Sequence, residues 1–167
     1  MVQKIMVGTA WCYGNNINTD LIFPGRFLAI TDPNEMAEYA LADLDNKFSQ
    51  NVQPGDIIIA GNNFGSGSSR EQAAMCLKFS NIGGIIAVSF ARIFYRNAIN
   101  QGLPALISPT AIEIVKTGDK VELNLEKNIL KNQTNGKSCS LKPIPNFLLE
   151  IIADGGIIPH LRKKFNK

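Results

Sequence analysis

Cysteine, histidine and tryptophan are scarce, with three, one and one among 167 residues. Cys12, Cys76 and Cys139 are far apart and sit in unrelated contexts. They offer neither the closely spaced thiolates of an iron–sulfur or zinc site nor the regular spacing of a disulfide scaffold. They read instead as small buried or half-buried hydrophobes, and fit a reducing cytoplasm. His160 stands in a basic stretch near the C-terminus, so a Ser-His-Asp hydrolase would have to recruit its base from a tail-like segment. No run of about 20 apolar residues is present, which leaves no candidate membrane-spanning helix. The first residues carry a lone Lys4 and too short an apolar run for a secretory signal. Charge is modest too, at net +3, and only Arg162, Lys163, Lys164 and Lys167 cluster. Those cations read as helix C-terminal charges, so nucleic acid is not implied.

What is present is a 45% hydrophobic chain, enough for a substantial core, with no internal repeat and no low-complexity linker. A single domain over residues 1–167 is expected. Apolar runs and turn signals place strands near 4–11, 56–60, 84–88, 104–107, 120–125, 128–132 and 138–141. Helices are expected at 33–43, 69–79, 91–101, 110–116, 145–154 and 158–165. Strands alternating with helices through the middle argue for an α/β fold, a parallel or mixed central sheet flanked by helices, with residues 121–130 as an appended hairpin. Residues 47–51 read as the mobile segment.

Three blocks carry chemistry. The first is Gly61-Asn62-Asn63-Phe64-Gly65-Ser66-Gly67-Ser68-Ser69-Arg70-Glu71, where a strand gives way to a helix. The glycines permit positive φ and close approach of a ligand, and Ser68 or Ser69 can cap the helix that follows. A helix N-terminus with Arg70 beside it suits a carboxylate; the plainer reading is a glycine-rich turn with a serine cap. A Walker loop needs Lys where Gly67 stands, and a dinucleotide fingerprint needs glycine where Arg70 stands, so both nucleotide readings are weak. The second block runs from Ser89 to Pro104 and again leads a strand into a capped helix. Phe90, Ile93 and Phe94 read as core, whereas Arg92, Arg96 and Asn97 are either solvated or brace the first loop. In the third block, from Gly14 to Leu28, Asn and Asp read as turn formers, and Asp20 and Arg26 can project toward the serine loop.

In this order and spacing the blocks resemble the small subunit of 3-isopropylmalate dehydratase, the swivel-domain partner in the aconitase superfamily. The resemblance is carried by Asn18-Thr19-Asp20 with Pro24 and Arg26, by Asn63 through Glu71 and by Ser89 through Pro104. It implies a swivelling β/β/α domain and a hydro-lyase that interconverts 2- and 3-isopropylmalate through an unsaturated diacid. By resemblance Ser68 is the base, acting as an alkoxide stabilised by loop N–H groups and cations. Asp20 orients the site, Ser69, Arg70 and Arg26 hold substrate carboxylate, and Ala29 and Ile30 meet the variable part of the substrate. Gln72 stands where many relatives have histidine, a departure that leaves Ser68 and Arg70 untouched and puts a proton-relay role at this position in doubt. A small and an aliphatic residue at 29 and 30 suit an isopropyl group and leave homoaconitate's third carboxylate without a partner; other alkylmalates remain open. The implied four-iron, four-sulfur cluster belongs to a large subunit, with no metal on this chain. The competing readings are a non-catalytic carboxylate-binding module and a purely structural partner.

Overall fold

The computed structural model describes residues 4–166, and its strands follow the expected order closely. They are β1 (Ile5–Cys12), β2 (Ile57–Ala60), β3 (Gly84–Ala87), β4 (Ala105–Ile107), β5 (Lys120–Asn124), β6 (Ile129–Asn132) and β7 (Ser138–Ser140). They form one sheet in the order β4-β3-β2-β1-β5-β6-β7. β1 to β4 are parallel, with Ala10 opposite Ile57 and Ile58 opposite Ile85, whereas β1, β5, β6 and β7 pair antiparallel. The expected hairpin at 121–130 is the β5–β6 pair. The sheet curls until its ends meet: Lys142 N–H donates to the Ile107 carbonyl at 2.9 Å, and Ser108 Oγ lies 3.6 Å from Cys139 Sγ.

Strand composition explains the layers. Every residue of β2 and β3 is buried, as in parallel strands covered on both faces. Ile58 and Ile85 face one apolar cluster with Phe23, Phe48, Phe64, Leu77 and Phe94. Ile57, Ile59 and Ile86 face another with Val121, Leu123, Leu130 and Ile152. Buried Asp56 ties the foot of β2 to its surroundings, accepting from Thr9 N–H, Trp11 Nε1 and Gln53 N–H, each at 2.9 Å.

The helices are α1 (Thr19–Ile22), α2 (Pro33–Glu38), α3 (Phe48–Asn51), α4 (Glu71–Phe79), α5 (Arg92–Asn100), α6 (Ala111–Ile114), α7 (Asn146–Ala153) and α8 (Ile157–Phe165). Several expectations need correction. Residues 47–51, expected to be mobile, hold α3, because Phe48 is fully buried and packs edge-on to Trp11 at 5.1 Å. α2 stops at Glu38, not 43, since Leu41 takes φ 57° and donates its N–H to the Ile22 carbonyl at 2.8 Å. α1 lay hidden in a stretch read as turns; Asn18 caps it, accepting from Leu21 N–H at 2.9 Å. Neither Ser68 nor Ser69 caps α4, whose cap position is the extended Arg70 with no side-chain bond. The α5 cap is Ala91, also without a side-chain bond. Ile93 is 50% exposed and not core, because Phe90 precedes the helix and the inward face is set by Phe94, Ala98 and Ile99. Arg162, Lys163 and Lys164 do lie in the last turn of α8.

Candidate active site

The loops leaving β1, β2 and β3 meet at the C-terminal edge of the parallel strands, where open α/β sheets place their ligands. They are zipped by main-chain bonds. Asn16 N–H donates to Asn62 O at 2.8 Å, Gly65 N–H to Ile17 O at 2.7 Å and Thr19 N–H to Ser66 O at 2.8 Å. On the other side Phe64 N–H donates to Ser89 O at 3.0 Å, Ala91 N–H to Phe64 O at 2.9 Å and Asn63 N–H to Ser89 Oγ at 2.8 Å. Gly65, at φ 83°, lies against the Phe94 ring, and a Cβ there would overlap it. Bracing therefore comes from Ser89 and Phe94; Arg92, Arg96 and Asn97 make no side-chain hydrogen bond to the serine loop.

That zipper sets the functional side chains. Exposed Ser68 lies with its Oγ 3.1 Å from Oγ1 of buried Thr19. Arg70 reaches back across α1, donating from Nη1 to Asp20 Oδ1 at 2.6 Å and to the Phe23 carbonyl at 3.3 Å. The Asp20 Oδ1 atom also accepts from Gly25 N–H at 3.0 Å. Gly25 lets the chain pass close to this pair: a Cβ there would stand 3.3 Å from Arg70 Nη2 and 3.4 Å from Asp20 Oδ1, tight enough to press on both. Arg26, on the 3₁₀ turn Gly25–Phe27, pairs with Asp43 through both Nη atoms at 2.7 and 2.6 Å, with its guanidinium 4.5 Å from the Phe27 ring centroid. Asn18, Asp20, Pro24, Arg26, Asp43 and Arg70 line a single hollow of about 500 Å³.

The electrostatics follow from these contacts. The Arg70 hydrogen bond, helped by Gly25 N–H, holds the Asp20 carboxyl below its ordinary range. Arg26 does the same to Asp43, and Asp43 pushes the Arg26 guanidinium up. Each guanidinium has five N–H donors, and among the described residues each spends two, leaving three for a ligand. Among the described residues no backbone N–H from 66 to 70 donates within the chain, so this segment presents unspent dipoles beside Ser68.

Of the residues named from sequence, the structure brings Asp20, Arg26 and Arg70 together. Ser68 adjoins them through Thr19 and does not itself line the hollow. Ser69 faces a separate depression with Glu71, Ile93, Arg96, Asn97 and Asn100. Ala29 is exposed and Ile30 is half-buried against the core, neither lining the arginine hollow. Two residues were missed. Thr19 was legible as part of the Asn-Thr-Asp run, but Asp43 lay at the end of an expected helix, indistinguishable from a solvated acid. The thiols serve separate places: Cys76 is buried against the Ile22 and Ala73 carbonyls, Cys12 Sγ approaches the Val115 carbonyl at 3.5 Å, and Cys139 lies by Ser108. Burial pushes the Cys12 thiol up to about 11 and raises that of Cys76 as well. Their arrangement does not fit a cluster-ligand set, and among the described residues no three His, Cys, Asp or Glu side chains gather as one.

The chain is similar in sequence and fold to known proteins. The aconitase C-terminal domain family matches residues 15–110. The 3-isopropylmalate dehydratase small subunit of Endomicrobium trichonymphae is 48% identical over 162 residues, covering 97% of this chain and 99% of its own length. That of Caldanaerobacter subterraneus subsp. tengcongensis is 50% identical over 159 residues, covering 95% and 99%. The isopropylmalate/citramalate isomerase small subunit of Methanocaldococcus jannaschii is 47% identical over 163 residues, covering 98% and 97%. A crystal structure of 3-isopropylmalate dehydratase from Methanocaldococcus jannaschii matches with a TM-score of 0.92 and 42% identity, covering 97% of this chain and 96% of that one. The chain therefore belongs to the aconitase C-terminal domain family, among its 3-isopropylmalate dehydratase small subunits.

Proposed function

We propose that this chain joins a large subunit to form a 3-isopropylmalate dehydratase, which removes water from 2-isopropylmalate and restores it at the neighbouring carbon to give 3-isopropylmalate. The observation that carries the reading is the convergence of Arg26, Arg70 and Asp20 on one hollow next to Ser68 and the unspent N–H groups of its loop. Two guanidinium groups with three free donors each match a dicarboxylate. Ser68 takes the proton from the carbon beside a carboxylate. Once ionised it has no proton to give, so Thr19 is then the donor in the 3.1 Å contact and supports the alkoxide together with the loop N–H groups. Asp20 holds Arg70 in place, and Ala29 and Ile30 meet the alkyl branch when the large subunit closes over this edge. The four-iron, four-sulfur cluster resides in that subunit and supplies the Lewis acid for the departing hydroxyl.

Among the described residues no helix is long and apolar enough to cross a membrane, which fits a complex working in the cytoplasm. A second reading, that citramalate is also a substrate, is favoured by the name of the Methanocaldococcus jannaschii relative. A methyl branch in place of isopropyl leaves both carboxylates where the arginines meet them. The test is anaerobic co-purification with the large subunit and an absorbance assay for the unsaturated diacid. The complex turns over 2-isopropylmalate and the isolated chain does not; turnover by the isolated chain contradicts the proposal. The ratio of kcat/KM for isopropylmalate and citramalate decides between the two readings.

A further inference from the structure

We infer that Asp43 is a positioning residue that fixes the approach of Arg26 to the substrate carboxylate. Arg26 sits exposed on a short 3₁₀ turn, and among the described residues, apart from the Phe27 ring beneath it, the only side chain that fixes its guanidinium is Asp43. A long side chain of this kind otherwise samples many rotamers, and ordering it on each binding event lowers affinity. The two-pronged bond at 2.6 and 2.7 Å fixes both the direction and the plane of the fork, and leaves Nε–H and one N–H on each Nη for the ligand.

Asp43 can do this because its own segment is pinned. Two residues before it, fully buried Leu41 adopts φ 57° and hangs by its N–H from the Ile22 carbonyl at 2.8 Å. Two residues after it, Asp45 accepts from Tyr13 Oη at 2.9 Å and donates its N–H to Leu41 O at 2.8 Å. Tyr39, from the same segment, stacks on Phe27 at 4.2 Å between ring centroids and so supports the platform under the guanidinium. One turn of chain thus supplies both the carboxylate and the backing of the aromatic plate. An exposed ion pair contributes little to stability. A carboxylate facing the hollow also opposes an anionic ligand, so its placement is explained by geometry and not by bulk charge.

This inference rests on the dehydratase reading of the hollow, and its sign separates it from a simple charge effect. In the reconstituted complex, Asp43→Asn raises KM for 2-isopropylmalate between about ten- and a hundredfold, with kcat within roughly threefold and an unchanged melting temperature. A role limited to charge predicts the reverse, a lower KM, because removing a negative group makes the hollow more attractive to a dianion. Asp43→Glu recovers part of the loss, and Asp43→Asn adds little on an Arg26→Lys background, since the clamp then has nothing to aim. An unchanged or lowered KM in Asp43→Asn overturns the inference, as does a loss confined to kcat. NMR relaxation of the Arg26 Nε–H in the full chain tests the clamp without turnover: it is ordered in the wild type and released in Asp43→Asn. Equal mobility in the two overturns the inference, whereas a wild-type complex inactive on every alkylmalate counts against the dehydratase reading and leaves the relaxation result to decide on the clamp.

Discussion

The two halves of the sheet solve different problems with the same backbone. In the parallel half every strand runs the same way, so the loops after β1, β2 and β3 gather at one edge, where side chains following β1 and β2 line a common hollow and the loop after β3 braces them. In the antiparallel half successive turns alternate between edges and spend their polar groups on themselves. Asn124 Oδ1 accepts from Glu126 and Lys127 N–H at 3.1 and 2.8 Å. Buried Asn132 accepts from Thr134 N–H at 2.9 Å and donates to Ile114 O and Asp119 Oδ2 at 2.9 and 2.7 Å. Burial differs accordingly: β2 is covered throughout, whereas β6 alternates exposed and buried residues. Chemistry needs polar groups held in place but not yet satisfied, and the parallel edge keeps them.

Substitutions on each side of that divide sharpen or break the contrast. The largest effect is expected from Ser68→Ala, which lowers kcat of the complex by about a thousandfold without moving the melting temperature. Retained activity would place the base elsewhere. Next is Leu130→Ala in β6, a fully buried side chain facing the second apolar cluster. It lowers unfolding free energy by about 3 kcal/mol, read from the urea midpoint, while KM and kcat of the surviving complex stay put. A change in KM there would mean that the antiparallel half communicates with the hollow.

A smaller effect belongs to Gly25→Ala, whose methyl presses on the Arg70–Asp20 pair and raises KM by about fivefold, seen in steady-state kinetics. The smallest is a pH effect in the antiparallel half. Bonds from Lys116 N–H and Asn132 hold the Asp119 carboxyl below its ordinary value. The folded-state pKa is depressed, so the contribution to stability is complete above the unfolded value near 4 and disappears as pH falls through the lower folded value. Melting curves of wild type and Asp119→Asn therefore differ at pH 7 and converge in acid. A difference that persists below that window would assign the effect to shape and not to charge.

Legibility in the sequence tracked how local the cause was. The isoleucine runs of β2 and β3, the glycine loop and the bodies of α4 and α5 announce themselves, because burial and turn geometry act within a few residues. α1 and α3 were hidden, since each is a single turn held by distant contacts, among them Leu41 N–H on Ile22 O and Thr19 N–H on Ser66 O for the first and Phe48 under Trp11 for the second. The serine caps failed for a related reason, as Ser68 is turned toward Thr19 by loop bonds that only the folded chain makes. Ser68, Asp20, Arg70 and Arg26 were readable as chemistry within their motifs. Their partners were less so, and Asp43 bore no signal at all.

What the sequence determined by itself is the alternation of strands and helices, the conformational freedom of the 61–71 loop and the supply of two guanidinium groups and a hydroxyl near it. Propensity, hydrophobic period and side-chain chemistry settle these over short spans of chain. The tertiary structure alone decided which acid meets which arginine, that Ile93 points outward, and that residues as far apart as Asn18, Asp43 and Arg70 share one hollow. Those outcomes depend on strand register and on bonds between loops dozens of residues apart, and such closures are fixed only when the whole core packs.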